Sequence, residues 1–147
     1  MKKQAYYVDS CIWLNLFKKE GDFRKGKPYW KIAEEFIKKI MFSRNQEITY
    51  SGIVIKEIIF NVNKNLFEQN SYFFEKEPNI RFVKVTPEDK NFAREIESKF
   101  DYEISYYDCI HIALCKRFNM ILVTRDKKLI NLAKKIIKVK KPEQLLA

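Results

Sequence analysis

Along this chain the apolar positions fall into short continuous runs separated by longer stretches of helical spacing. Residues 5–9 (AYYVD) are aromatic and β-branched, which predicts a buried strand, and the apolar stretch after them predicts a short helix to about Phe17. Residues 29–42 set Trp30, Ala33, Phe36, Ile37 and Ile40 at the spacing of one helix face. Ile48–Tyr50 predicts a short strand. Ser51 can cap a following helix whose inner face carries Ile55, Ile58, Ile59, Val62 and Leu66. Residues 80–85 (IRFVKV) alternate as a strand does. Pro87 suits the first turn of a helix running to about Phe100. An apolar helix over 107–118, a continuous apolar strand over 120–124 (MILVT), a helix near 128–135 and a last strand at 136–139 complete the pattern.

Strand and helix alternate, and the strands read as apolar throughout. That combination predicts the α/β class: a three-layer α/β/α sandwich around a mostly parallel central sheet. No repeat, low-complexity tract or linker interrupts the pattern, so residues 1–147 are expected to form one domain. Two of the three glycines, Gly21 and Gly26, lie in KKEGDFRKGKP, which reads as a surface loop. In open parallel sheets ligands gather at the carboxyl ends of the strands, where strand order reverses. Chemistry is therefore expected at that edge.

Charge narrows the class of partner. The chain has 29 basic and 19 acidic residues, a net of +10, which suits a polyanion such as nucleic acid. A Lys-rich composition bias is the blander reading. Cys11, Cys109 and Cys115 form no CxxC pair and only one histidine accompanies them, which argues against zinc. The odd cysteine count, the absence of an apolar signal segment before Asp9, and the lack of about 18 consecutive apolar residues together predict a reduced, membrane-free cytoplasmic protein.

Four acids are expected at the carboxyl edge of the sheet. Asp9 ends the first strand, and Asp126 lies two residues beyond MILVT. Asp108 opens the helix after the SYYD turn, and Glu57 sits in the second turn of the helix after Tyr50. Each has a second reading. Asp9 can cap its helix, Ser105 and Asp108 are spaced as a capping box, Asp126 suits a turn, and Glu57 can pair with a lysine one turn away. Their conjunction is what matters. Two carboxylates about 4 Å apart repel by about 4 kcal/mol at an effective dielectric near 20. A cluster of such groups calls for a hard divalent cation, Mg²⁺ or Mn²⁺, of the kind that serves phosphodiester hydrolysis.

These segments resemble the PIN-domain nucleases, including the VapC-type toxins of toxin–antitoxin pairs. YYVDSCIWLNLF is similar to the family's opening strand and helix, SGIVIKEIIF to its Ser-to-Glu helix, SYYDCIHIAL to its D-x-x-x-x-A helix start, and NMILVTRDKKL to its strand followed by T-x-D. IIKVKKPEQLL is similar to the family's last strand and tail, so the likeness spans the chain. One departure is that Asp126 is followed by Lys127, Lys128 and Leu129 where many relatives carry a further Asp and a Phe.

The resemblance implies an RNA substrate, Mg²⁺ or Mn²⁺, cleavage to a 5′-phosphate and 3′-hydroxyl, a homodimer and, for a toxin, a small antitoxin that blocks the pocket. On this reading Asp9, Glu57, Asp108 and Asp126 are the catalytic, metal-holding acids. Ser10 and Thr124 support the carboxylates by hydrogen bonds or serve only as cap and strand-end residues. Arg125, Lys127 and Lys128 contact RNA phosphates or merely face solvent. His111 is expected to be a packed residue and not a general base. The alternatives are a catalytically silent PIN-like binding module and an RNA-processing nuclease outside a toxin–antitoxin system. A haloacid-dehalogenase-type phosphatase needs D-x-D after the first strand, and Asp9-Ser10-Cys11 fails that pattern. A receiver-like domain needs a phosphoacceptor Asp beyond a later strand and an adjacent acidic pair, and neither is present.

Overall fold

The computed structural model describes residues 2–146. Five strands form one sheet: β1 (Gln4–Val8), β2 (Gln46–Tyr50), β3 (Ile80–Phe82), β4 (Ile121–Val123) and β5 (Val139–Lys140), in the order β3-β2-β1-β4-β5. Every pairing is parallel, a stricter arrangement than the mostly parallel sheet expected. Eight helices among the described residues connect them: α1 (Ser10–Phe17), α2 (Tyr29–Met41), α3 (Gly52–Asn61), α4 (Lys64–Asn70), α5 (Tyr72–Glu75), α6 (Pro87–Lys99), α7 (Tyr106–Phe118) and α8 (Lys127–Ala133). Short 3₁₀ turns at Phe23–Lys25 and Pro142–Leu145 complete the fold.

The strand order reverses direction between β1 and β4. Parallel crossovers are right-handed, so the helices after β1 and β2 cover one face and those after β3 and β4 the other. Adjacent residues of β1 show both faces. The Tyr6 ring meets Phe36 of α2 edge-on at 5.8 Å, while the Tyr7 ring lies 5.1 Å from His111 of α7. Because both faces are covered, Tyr7, Val8, Ile48, Leu122 and Val123 are fully buried, which explains strands that read as apolar runs without alternation.

The segment between β2 and β3 departs from the expected pattern. A single helix from Ser51 through Leu66 is replaced by α3, α4 and α5. Val62 is extended (φ −131°, ψ 161°), and the Asn63 side chain caps α4 by accepting from the Leu66 N–H at 2.7 Å. A side-chain acceptor inside an apolar repeat thus ends one helix and starts the next. The inner face of α3 is set by Val54 and Ile58, whereas Ile59 lies 52% exposed and Phe60 89%. The break lets α5 return Phe73 and Phe74 to the buried Trp13, at ring separations of 5.7 and 4.7 Å.

The α6–α7 pair is fastened by charge as well as packing. Thr86 and Asp89 form a reciprocal capping box, and Arg117 of α7 grips both oxygens of Asp89 at 2.8 Å. Burial works against ionising Asp89. The Arg117 hydrogen bonds and charge and the Thr86 N–H outweigh it and hold the carboxyl below its ordinary range. A depressed acid stabilises the fold above the pKa of the unfolded chain and loses that contribution as pH falls through the folded value. Asp89→Asn is therefore expected to cost about 1–3 kcal/mol at pH 7, allowing for the partly open Arg117 side chain. In urea melts the gap from wild type should close as pH falls below the carboxylate range; a constant gap down to pH 2 would refute the assignment.

Candidate metal centre

The register brings three chain ends level at the carboxyl edge. Tyr7 pairs with Thr49 on one side and Leu122 on the other, and two residues further along each strand stand Asp9, Ser51 and Thr124. This row straddles the switch point. Asp9 is the N-cap of α1, with Oδ1 accepting from the Ser10 N–H at 2.8 Å. Its Oδ2 accepts from the Thr124 hydroxyl at 2.8 Å and the Cys11 thiol at 3.4 Å. Capping and site formation thus use the same carboxylate. The Ser10 hydroxyl stands further off, at 3.5 Å, so Ser10 supports Asp9 mainly through its backbone.

Glu57 projects from the second turn of α3, and His111 lies one turn into α7. The His111 Nε2 sits 2.9 Å from Glu57 Oε1 and 3.8 Å from Asp9 Oδ1. Its Nδ1 is 2.7 Å from the Tyr7 hydroxyl, which is 2.7 Å from the Ser51 hydroxyl. One atom each from Asp9, Glu57 and His111 falls within 4.8 Å of the others, a spacing that can hold a metal ion. His111 is fully buried, in keeping with the packed residue expected, but its place among the acids is new. Histidine three residues after an acid on a helix gives no separate signal of this role. Tyr7 and Ser51 were likewise hidden, because their partners are distant in sequence.

Asp108 is half-buried in the first turn of α7. Ser105 caps that helix by accepting from the Asp108 N–H at 3.1 Å, but the reciprocal half of a capping box is absent among the described residues. The Asp108 carboxylate is thereby left to the cleft. Burial pushes its pKa up first, and the charges of Asp9, Glu57 and Asp126 add to that against an opposing His111, bringing it to about 6. Burial also opposes charge on His111, yet the Glu57 hydrogen bond and the charges of Asp9, Glu57 and Asp108 raise its pKa overall.

Asp126 is exposed and caps α8, with Oδ1 accepting from the Lys128 and Leu129 N–H groups at 3.0 and 3.1 Å. It is tied to the others through Thr124, whose hydroxyl accepts from the Asp126 N–H at 3.2 Å. Lys127 and Lys128 stand in solvent beside it. Arg125 is engaged elsewhere. Only 13% of its side chain is exposed; it pairs with Glu143 at 2.9 Å and lies 4.1 Å over the Tyr29 ring. At the opposite edge of the sheet a cavity of about 740 Å³ is basic in composition, but Lys3, Arg81 and Arg117 there are held by Asn79, Glu47 and Asp89.

An all-parallel α/β sheet with crowded carboxylates at its switch point defines a class of protein suited to binding a hard cation. The PIN domain profile matches residues 6–135, and the chain belongs to that family. Among solved structures, VapBC2 from Rickettsia felis, crystallised with a DNA fragment from its promoter, superposes with a TM-score of 0.65 at 17% identity, covering 94% of this chain and 98% of that one. VapC20 of Mycobacterium tuberculosis, a sarcin–ricin loop cleaving toxin, gives 0.66 at 20% identity over 92% and 98%. FitAcB from Neisseria gonorrhoeae gives 0.62 at 15% over 94% and 98%. At such identities the likeness is one of fold. No curated protein matches the sequence.

The crowding has a measurable cost. An acid with a raised pKa destabilises the fold above that value, and the penalty is relieved as pH falls from about 6 toward the ordinary range. Without divalent ions, Asp108→Asn is expected to raise the melting temperature at pH 7–8, by about 1–3 kcal/mol of stability. The gain should vanish below about pH 4. No gain at pH 8 would show that Asp108 does not share the acidic cleft.

Proposed function

We propose that this chain is a divalent-metal-dependent ribonuclease, the toxin of a toxin–antitoxin pair. The observation that carries this reading is the approach of Asp9 and Glu57 to within metal-binding spacing at the switch point, with Asp108 near enough that their charges add to burial in pushing its carboxyl up to about 6. The carboxylate oxygens of Asp9 and Glu57, with Asp108 close by, are hard donors of the kind that fit Mg²⁺ or Mn²⁺. Asp9, Glu57 and Asp108 would hold the ion, with Asp126 completing the set or orienting water. When bound, such an ion lowers the pKa of a water molecule and offsets charge on the phosphate.

The remaining work belongs to the chain itself. Thr124 and the Ser10 N–H fix both oxygens of Asp9, so its orientation is set before substrate arrives. Lys127 and Lys128 are placed to meet RNA phosphates, while the rest of the +10 surplus draws the polyanion. Membership of the PIN family and the fold shared with VapC20, which cleaves the sarcin–ricin loop, support nuclease activity, RNA as substrate and the toxin role. The VapBC2 likeness supports a small antitoxin partner, and we extend the proposal to a homodimer in the cytoplasm. No described helix is long and apolar enough to cross a membrane.

RNA cleavage should require Mg²⁺ or Mn²⁺ and stop with EDTA. Asp9→Asn and Asp108→Asn should each lower the rate by about a hundredfold or more while the circular dichroism spectrum stays native. Wild-type rates in both variants would refute the assigned roles. RNA binding by Asp9→Asn should weaken linearly in log K against log salt. A flat salt response would remove the basic surface from the account.

A further inference from the structure

His111 stands within reach of Asp9 and Glu57, so on distance alone it qualifies as a third metal ligand. Its hydrogen bonds say otherwise. Nε2 faces Glu57 Oε1 at 2.9 Å. An ionised carboxylate only accepts, so Nε2 must carry a proton there. Nδ1 faces the Tyr7 hydroxyl at 2.7 Å, and Tyr7 faces Ser51 at 2.7 Å. In the neutral ring, Tyr7 donates to Nδ1 and Ser51 donates to Tyr7. In the charged ring, Nδ1 donates to Tyr7 and Tyr7 donates to Ser51. Both arrangements leave the proton on Nε2, and the neutral one also uses the Ser51 hydroxyl proton. Neither ring nitrogen has a lone pair to offer the cleft.

We infer that His111 is a positioning residue that aims the Glu57 carboxylate through the buried Ser51–Tyr7–His111 chain, and is not a ligand. This rests on the metal reading above and sharpens it: the ion sees only oxygen, which favours Mg²⁺ or Mn²⁺ over imidazole-seeking Zn²⁺. The chain also ties α3, β1 and α7 together. It starts on the cap of α3, passes through β1, reaches α7 and returns to Glu57 on α3. Glu57, on a helix whose outer face is exposed, is thereby anchored to the buried sheet.

His111 is the only histidine, so its imidazole signals need no assignment. Long-range ¹H–¹⁵N spectra should show a protonated Nε2 both without and with saturating Mg²⁺. Loss of that proton on adding Mg²⁺ would mean ligation and overturn the inference. In Mn²⁺ titrations followed by electron paramagnetic resonance, His111→Leu should bind about ten- to a hundredfold more weakly than wild type. His111→Gln, whose amide reaches the Nε2 place, should recover most of the loss. His111→Asn, which reaches only the Nδ1 place, should not, and this pair decides the matter even where the leucine variant fails to fold. Equal Mn²⁺ affinity in wild type, His111→Gln and His111→Asn would overturn the positioning role alone. A wild type that takes up no Mn²⁺ would overturn the metal reading and the inference together.

Discussion

Mutual repulsion among carboxylates is the constraint around which this molecule is arranged. Left to itself, a chain would spread such groups over its surface, where water screens them. Here the sheet forbids that. Asp9 is carried to the edge by a strand buried on both faces, and Thr124 beside it is fully buried. Hydrogen bonds from Thr124 and the Ser10 N–H fix both carboxylate oxygens of Asp9. Burial first, and the charges of Asp9, Glu57 and Asp126 after it, push the Asp108 carboxyl up to about 6. Stability is given up at this edge and recovered elsewhere, in the aromatic packing around Trp13 and the Arg117–Asp89 clamp.

The capping residues show how one group serves two ends. Asp9 and Asp126 each begin a helix and each belong to the acidic edge. The partial positive charge of a helix N-terminus favours an anion there, which lowers the cost of keeping a carboxylate ionised beside others. Asp108 enters the same way from the first turn of α7, where Ser105 performs the capping and leaves the Asp108 side chain to the cleft. The choice between cap and edge residue, posed for each acid from sequence, dissolves for Asp9 and Asp126, because each caps its helix from a place at the acidic edge.

Most of the architecture was legible because parallel sheets impose a strong pattern. Apolar runs marked β1 and β4, and the spacing of Ala33, Phe36, Ile37 and Ile40 marked α2, all of them buried. The failure over 62–66 has a local cause: Asn63 and Val62 stop a helix that periodicity alone would continue. Ile59 was read as core for the same reason, since one position of helix rotation separates it from Ile58. At the site, chemistry and order along the chain pointed to Asp9 and Glu57, which the fold does bring together, but gave no sign of the parts of His111, Tyr7 and Ser51. Their hydrogen bonds join residues 44, 54 and 104 positions apart, and no local spacing encodes such a contact. Arg125 was placed by its neighbours in sequence, whereas its guanidinium turns inward to Tyr29 and Glu143.

That inward turn makes the 3₁₀ turn at Pro142–Leu145 a buckle for the acidic edge. Arg125 sits between Thr124 and Asp126, and its guanidinium is the tongue that Glu143 and Tyr29 hold fast. Its Nε and Nη2 are buried without a partner among the described residues, so the ion pair with Glu143 is what keeps the group in place. Unfastening the Pro142–Leu145 turn would therefore be felt first at the Asp126 loop, giving that turn leverage over the acidic edge without touching it.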